Sequence, residues 1–222
     1  MIIVAIASFL DFSFFPPKVD IQETQAAGEI SIYRSVGPSA TSALTTGTAN
    51  NLTISSSIAT FASALDNNIG VGDALQYDSD NNGTIDSIAF IHGRTDSTHY
   101  TVKTVAGSNV ADLTTADNNW SIFRAYISLA NAETGTENTG INDTVENFDT
   151  WIGGKDISST GSNEQWNIAC YANGTTADVT AVTIDGWTTD VDSYIKIYTP
   201  VLTSEVGVGQ RHEGFGQRRR IE

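Results

Sequence analysis

From Ile30 onward the chain repeats one pattern: short bursts in which apolar residues alternate with Thr, Ser or Asn, separated by clusters of Asn, Asp, Gly and Ser. Leu52 and Ile54 alternate in NLTIS, and Leu75 and Tyr77 in ALQY. Ile88, Phe90 and His92 do so in SIAFIH, Tyr100, Val102 and Thr104 in HYTVKT, and Ile122 and Arg124 in WSIFR. A period of two puts each such set on one face of a strand. The intervening Asp66-Asn67-Asn68 and Asp78–Gly83 carry turn chemistry. Many short strands at this spacing predict an all-β barrel or sandwich, a small N-terminal β module spanning residues 28–125 with its strands from residue 30.

Composition narrows the function classes. The 222 residues carry 11 Lys+Arg against 26 Asp+Glu, a net charge of −15. That balance argues against a nucleic-acid binder, which needs clustered Lys and Arg at phosphates. Twenty Trp, Tyr and Phe and 40% hydrophobic residues exclude a wholly disordered chain. The single cysteine excludes a disulfide scaffold and a CxxC zinc site; Cys170 reads as a small buried hydrophobe.

The two ends differ from the body. Residues 2–15 form an apolar run too short and interrupted to span a bilayer. Polar residues follow, up to Gln25-Ala26-Ala27-Gly28, the order of a secretory signal. Residues 1–27 are therefore expected to be a leader, and the protein secreted; the other reading is an N-terminal strand or helix packed on the domain. Residues 209–222 form a basic tail with Arg218, Arg219 and Arg220 consecutive, either a solvated end or the mark of a truncated or frame-shifted reading frame.

Between residues 126 and 151 the alternation stops. SLANAETG holds helix formers behind Ser128, a plausible N-cap, and Asp143–Trp151 suggests another helical turn. Strands then return: Trp166, Ile168 and Cys170 share a face in WNIAC, Val182 and Ile184 in VTID. In YIKIY, Ile195 and Ile197 point inward while Tyr194, Lys196 and Tyr198 point outward.

The run SLANAE, EQWNIACY, VTIDGWTTDVDSYIKIYTP and QRHEG resembles the opening of secreted right-handed parallel β-helix repeat proteins of the pectate-lyase-like type. The match is closest from Val182 through Pro200. GVGDALQYDSDNNGTIDSIAFIHGRTDSTHYTVKT resembles a β module that precedes the helix in some bacterial members. The resemblance implies a short helical cap and the first β-helix coils over residues 126–208. Ala132 stands where relatives carry Trp before the Glu of the cap. A stable solenoid needs about three repeats, and this chain supplies strands for one or two. An exposed edge liable to edge-to-edge self-association follows, unless the strands close as a compact sandwich with the first module.

The sharpest local motif is Asp78-Ser79-Asp80-Asn81-Asn82-Gly83-Thr84-Ile85-Asp86. Oxygen ligands at positions 1, 3, 5, 7 and 9 with Gly at 6 suit a calcium loop, using Asp78, Asp80, Asn82, the Thr84 carbonyl and Asp86. Position 12 is Ala89 and the flanks read as strands, so it is no EF-hand. The alternative is a polar turn whose Asp and Asn serve its geometry.

His92, Arg94, Asp96, Ser97 and His99 bring together the residue types of a nucleophilic triad, without any GxSxG elbow; a polar hairpin tip is the plainer reading. His212 with Glu213 lacks the second His of HExxH. Gly70-Val71-Gly72 and Gly207-Val208-Gly209 lack the context of a phosphate loop. In pectate-lyase-like enzymes carboxylates act on the outer face of the coils, which brings in Asp185, Asp190 and Asp192, with Lys196 and Tyr198; Asp190 and Asp192 also suit turns.

These observations lead to two expectations. One is a secreted, acidic protein that binds carbohydrate or a cell-envelope polymer, non-catalytic in this form. The other is a calcium-dependent secreted hydrolase or lyase acting on polysaccharide or a small ester or lactone.

Overall fold

The computed structural model describes residues 29–37, 41–149, 151, 154–172 and 179–211. The expected leader and the tail beyond Arg211, with His212, Glu213 and Arg218–Arg220, lie outside the described residues. Eleven strands and one helix run through the described part: β1 Ile30–Val36, β2 Thr45–Thr46, β3 Leu52–Ser55, β4 Ile58–Phe61, β5 Ala74–Tyr77, β6 Ser87–Arg94, β7 His99–Lys103, β8 Leu113–Asp117, β9 Trp120–Phe123, α1 Leu129–Thr134, β10 Glu164–Cys170 and β11 Ile195–Tyr198. The all-β class is as the alternation predicts. Among the described residues no helix is long and apolar enough to cross a membrane.

Eight strands form one curled antiparallel sheet in the order β2-β9-β5-β6-β7-β4-β3-β8. Leu52, Ile54, Leu75, Tyr100, Val102 and Ile122, all from the alternating sets, meet in one core on its inner side. Phe61 anchors that core, edge-on to Trp120 at 4.7 Å and to Tyr100 at 5.8 Å. The alternate residues of the same strands face the other way. Ala74, Phe90 and Phe123 join Ile32, Trp166 and Ile168 in a second core. Covered on both faces, β5 and β9 are buried along their whole length.

The second sheet is parallel, in the order β1-β10-β11. Its first strand is the segment that sequence reading placed at the head of the N-terminal module; Ile30 to Val36 pair instead with Glu164 to Cys170. Strand β11 follows, with Trp166 opposite Ile195. Two isolated parallel bridges, Val36 with Tyr126 and Asp156 with Thr188, continue the arrangement. Most pairing in the molecule is nonetheless antiparallel.

The sheets meet where β1 crosses the turn before β5. The Ser35 N–H donates to the Gly72 carbonyl at 2.9 Å, and the Gly72 N–H to that of Ile91 at 2.7 Å. Gly72 sits at φ 85°, and a side chain there would run into the Arg34 backbone; only glycine fits.

The expected helix after Tyr126 is present. Ser128 caps it, its hydroxyl accepting the Asn131 N–H at 3.0 Å, and Gly135 ends it in the left-handed conformation at φ 65°. Its buried residue is Ala132, packed on the second core. Two local expectations differ. Residues 143–149 form only a turn, not a helix, stapled by the Asn142 side chain to the Thr144 N–H. Val182 and Ile184 lie in no strand; Ile184 is 44% exposed, because no strand of the described residues flanks it.

Candidate functional site

The nine residues joining β5 to β6 form the loop that sequence reading singled out. Its tight path uses two left-handed positions, Asn81 at φ 60° and Gly83 at φ 90°, which Asn and Gly tolerate best. Asp78 is buried at the end of β5, whereas Asp80 and Asp86 are exposed. The Asp78 carboxylate accepts backbone N–H groups from Gly83 at 2.6 Å, Asn82 at 3.2 Å and Asp80 at 3.3 Å. Burial by itself would raise its pKa, but those three N–H donors outweigh burial and hold it below the ordinary value. Asp86 accepts the Ser79 N–H at 2.9 Å, and Asn82 Oδ1 accepts the Thr84 N–H at 2.9 Å.

One carboxylate oxygen from each of Asp78, Asp80 and Asp86 lies within 4.8 Å of the others. Three like charges that close repel, and a hard divalent cation would relieve that repulsion. The Asn82 amide oxygen is already engaged within the turn. The loop thus gathers the three carboxylates predicted as ligands, while its Asn and backbone donors also do the work of a turn.

The triad residue types do not assemble. Asp96 and His99 form an exposed pair, Nδ1 to Oδ1 at 3.0 Å. The Asp96 carboxylate also accepts the N–H groups of Thr98 at 2.7 Å and His99 at 2.9 Å. The Thr98 N–H, more than any other donor, holds Asp96 well below the usual carboxylate range. This is the hydrogen bonding of a hairpin tip. His92 sits apart on β6, its ring tilted 59° to that of Tyr33 at 4.9 Å, with Nε2 buried and without a partner among the described residues. Burial, then the positive charges of Arg34 and Lys103, lowers its pKa to about 3. Ser97 contributes its backbone carbonyl to the Leu65 N–H.

The outer-face carboxylates are likewise spread out. Asp190 accepts N–H groups from Ser193 at 2.8 Å and Asp192 at 3.1 Å, and reaches across to the Ser159 N–H at 2.7 Å. These bonds, Ser159 first, keep it strongly ionised. It acts as a staple between consecutive passes of the chain. Asp185 is exposed and accepts its neighbour's N–H, from Gly186 at 2.8 Å. Lys196 lies 5.2 Å from the Tyr198 ring centroid.

Sequence reading missed the most heavily buried charges. Arg34 is fully buried and forms a two-toothed pair with Asp149, at 2.8 and 2.9 Å; the Tyr126 hydroxyl donates to the same carboxylate. The guanidinium lies 3.7 Å over the Phe90 ring. A signal existed, because the alternation of Ile32, Arg34 and Val36 puts the arginine on the core face. No comparable signal marks Asp149, which sits in a loop. A second buried pair, Arg124 with Asp73 at 2.5 Å, lies beneath Tyr171, whose ring is 3.7 Å from the guanidinium.

Trp151, missed as a core residue, packs edge-on against Trp166 at 4.6 Å and Trp187 at 5.4 Å. Trp166 is 3% exposed and belongs to the second core.

Fold and sites together define an all-β protein in which a curled antiparallel sheet is joined to a small parallel one. No family model, no curated protein and no solved structure matches this chain.

Proposed function

We propose that this chain is the N-terminal part of a secreted right-handed parallel β-helix protein, pectate-lyase-like in type, that binds carbohydrate or a cell-envelope polymer without catalysis in this form. The observation that carries the reading is the pairing of two consecutive passes of chain at two points. Trp166 faces Ile195 and Asp156 faces Thr188, both in parallel and roughly 30 residues apart, within the range of solenoid repeats. The second pass ends in an apolar opening between Leu129, Ile184, Trp187, Ile195 and Ile197. Among the described residues, seven of the eight exposed large hydrophobics fall between Val179 and Val208. Among the described residues β11 is paired on one side only, and such an edge suits edge-to-edge association.

The test is co-sedimentation of the protein with insoluble polysaccharides and cell-wall preparations, run beside assays for released reducing ends and unsaturated sugar products. Retention on a polymer with no product is the expected result. Failure to bind any of them would overturn the reading.

The converging carboxylates of Asp78, Asp80 and Asp86 favour one second reading, a calcium-dependent hydrolase or lyase. A cation bound to the folded state at millimolar affinity would stabilise it by about 1.4 kcal/mol at tenfold excess over its Kd. Thermal melts in EGTA and across a calcium titration read that shift. Asp80→Ala should abolish it, and under this reading product formation should go with it.

A further inference from the structure

Where the start of the parallel sheet meets the turn after β7, the protein holds a partly open cavity of about 320 Å3. Its walls include Ala106, Asp149, Trp151, Lys155, Glu164 and Trp166. The volume lies in the range of small-molecule sites, which combine apolar walls with a few fixed polar groups. Both indoles are locked. Trp151 Nε1 donates to the Glu133 carbonyl at 2.9 Å, and Trp166 Nε1 to Glu164 Oε2 at 2.8 Å.

The polar groups are held just as firmly. Lys155 Nζ donates to Glu164 Oε2 at 2.6 Å and lies 5.5 Å from the Trp166 ring centroid. An ammonium has three donors, and among the described residues it uses one, on Glu164. Both hydrogen bonds to the Glu164 carboxylate end on Oε2, which leaves the acceptor capacity of Oε1. A donor and an acceptor thus stand side by side in a cavity whose accessible indole is the half-buried Trp151, Trp166 being almost wholly covered.

Charge then selects the ligand. Lys155 is neutralised by Glu164 and Asp149 by Arg34, so among the described residues the lining offers no unpaired cation to an anion. The chain around it carries a net charge of −15, which repels polyanions. A ligand with hydroxyl groups, an apolar ring face and no charge satisfies all three features. We propose that this cavity is a subsite for one residue of a neutral sugar chain; the inference rests on the carbohydrate-binding reading above and names the place and the class of sugar.

The experiment titrates the full chain with cellotetraose, maltotetraose, the tetramer of N-acetylglucosamine, and tetragalacturonate as the anionic comparator. Tryptophan fluorescence and calorimetry follow binding. At least one neutral tetramer should bind and tetragalacturonate should not. Ala106→Phe, which fills the cavity, and Lys155→Met, which removes the donor, should each weaken binding tenfold or more, while Thr115→Ala on exposed β8 leaves it unchanged. Circular dichroism melts check folding, and Lys155→Met carries the test alone if the filled variant does not fold. Binding that ignores both substitutions overturns the cavity and leaves the carbohydrate reading standing. Tighter binding of tetragalacturonate overturns the neutral class. No binding of any tetramer overturns the subsite, and the polymer sedimentation then decides separately whether the wider reading survives.

Discussion

The two sheets use similar strands to different ends. In the antiparallel sheet, β3 and β4 pair through a two-residue turn, β6 and β7 through a short tip, and β5 and β9, beyond β6, are buried along their whole length. In the parallel sheet the three strands come from residues 30, 164 and 195 onward, each separated from the next by a long excursion. The first sheet keeps Leu52, Ile54, Leu75 and Ile122 from any solvent; the second finishes on β11, where Ile197 is 44% exposed. Local hairpins complete a core from neighbouring sequence, whereas a parallel strand needs a partner delivered from far away. Among the described residues β11 has such a partner on one side only.

A charged contact adds to the backbone bonds at Gly72 and the shared apolar core that join the two regions. Arg34 comes from the parallel sheet, lies over Phe90 of the antiparallel one, and is neutralised by Asp149. Removing one member of a buried pair leaves the other charge uncompensated, which costs about 3–5 kcal/mol. Asp149→Ala should therefore cause the largest loss of stability proposed here, read as a fall in the urea midpoint with both regions affected together. The double variant Arg34→Met with Asp149→Leu should recover most of the loss, since apolar replacement of both partners is often close to neutral. If the single variant unfolds the parallel sheet and leaves the antiparallel sheet's amide protection intact, the joint is not where the coupling lies.

The next effect separates a closed core from an open one. Ile54→Ala removes a fully buried side chain and should cost about 2–5 kcal/mol. Ile197→Ala trims a side chain already half in water and should change stability by no more than about 0.5 kcal/mol. Equal losses at the two positions would mean that the end of β11 is covered in solution, and sedimentation velocity would show whether a second copy covers it.

The same contrast explains what could be read from the sequence. Leu52 with Ile54, and Tyr100 with Val102, announced their strands and inward faces because alternation and turn chemistry are local. Ser128 announced its helix for the same reason. The pairing of Ile30–Val36 with Glu164–Cys170 left no local trace: alternation says which face a residue takes, not which strand lies beside it. Val182 and Ile184 alternate as a strand would, yet pair with no strand among the described residues. At the candidate sites, the Asp78–Asp86 loop was legible because its ligand types are contiguous. Asp149, Lys155 and Glu164 were invisible because their meeting with Arg34, Trp151 and Trp166 is made only by the tertiary fold.

A further effect, one that depends on pH, comes from His92, on the face of β6 turned toward the parallel sheet. Its pKa is lowered to about 3, by burial first and then by Arg34 and Lys103, against an ordinary value near 6.5. Between those values the unfolded chain binds a proton that the folded chain refuses, so stability rises with pH across that window. At pH 5 the folded protein should be about 2 kcal/mol less stable than at pH 8 on this account. His92→Gln should flatten that part of the profile, measured as urea midpoints from pH 4 to 8, because it removes the titrating group and keeps a side chain of similar size. The carboxylates lowered by N–H donors, Asp78, Asp96 and Asp190, act in the same sense but at lower pH: their contribution is present above the ordinary carboxylate range and is lost as pH falls through their depressed values. A slope that persists between pH 5 and 7 in His92→Gln would move its origin to another group and free the imidazole from the seam between the sheets.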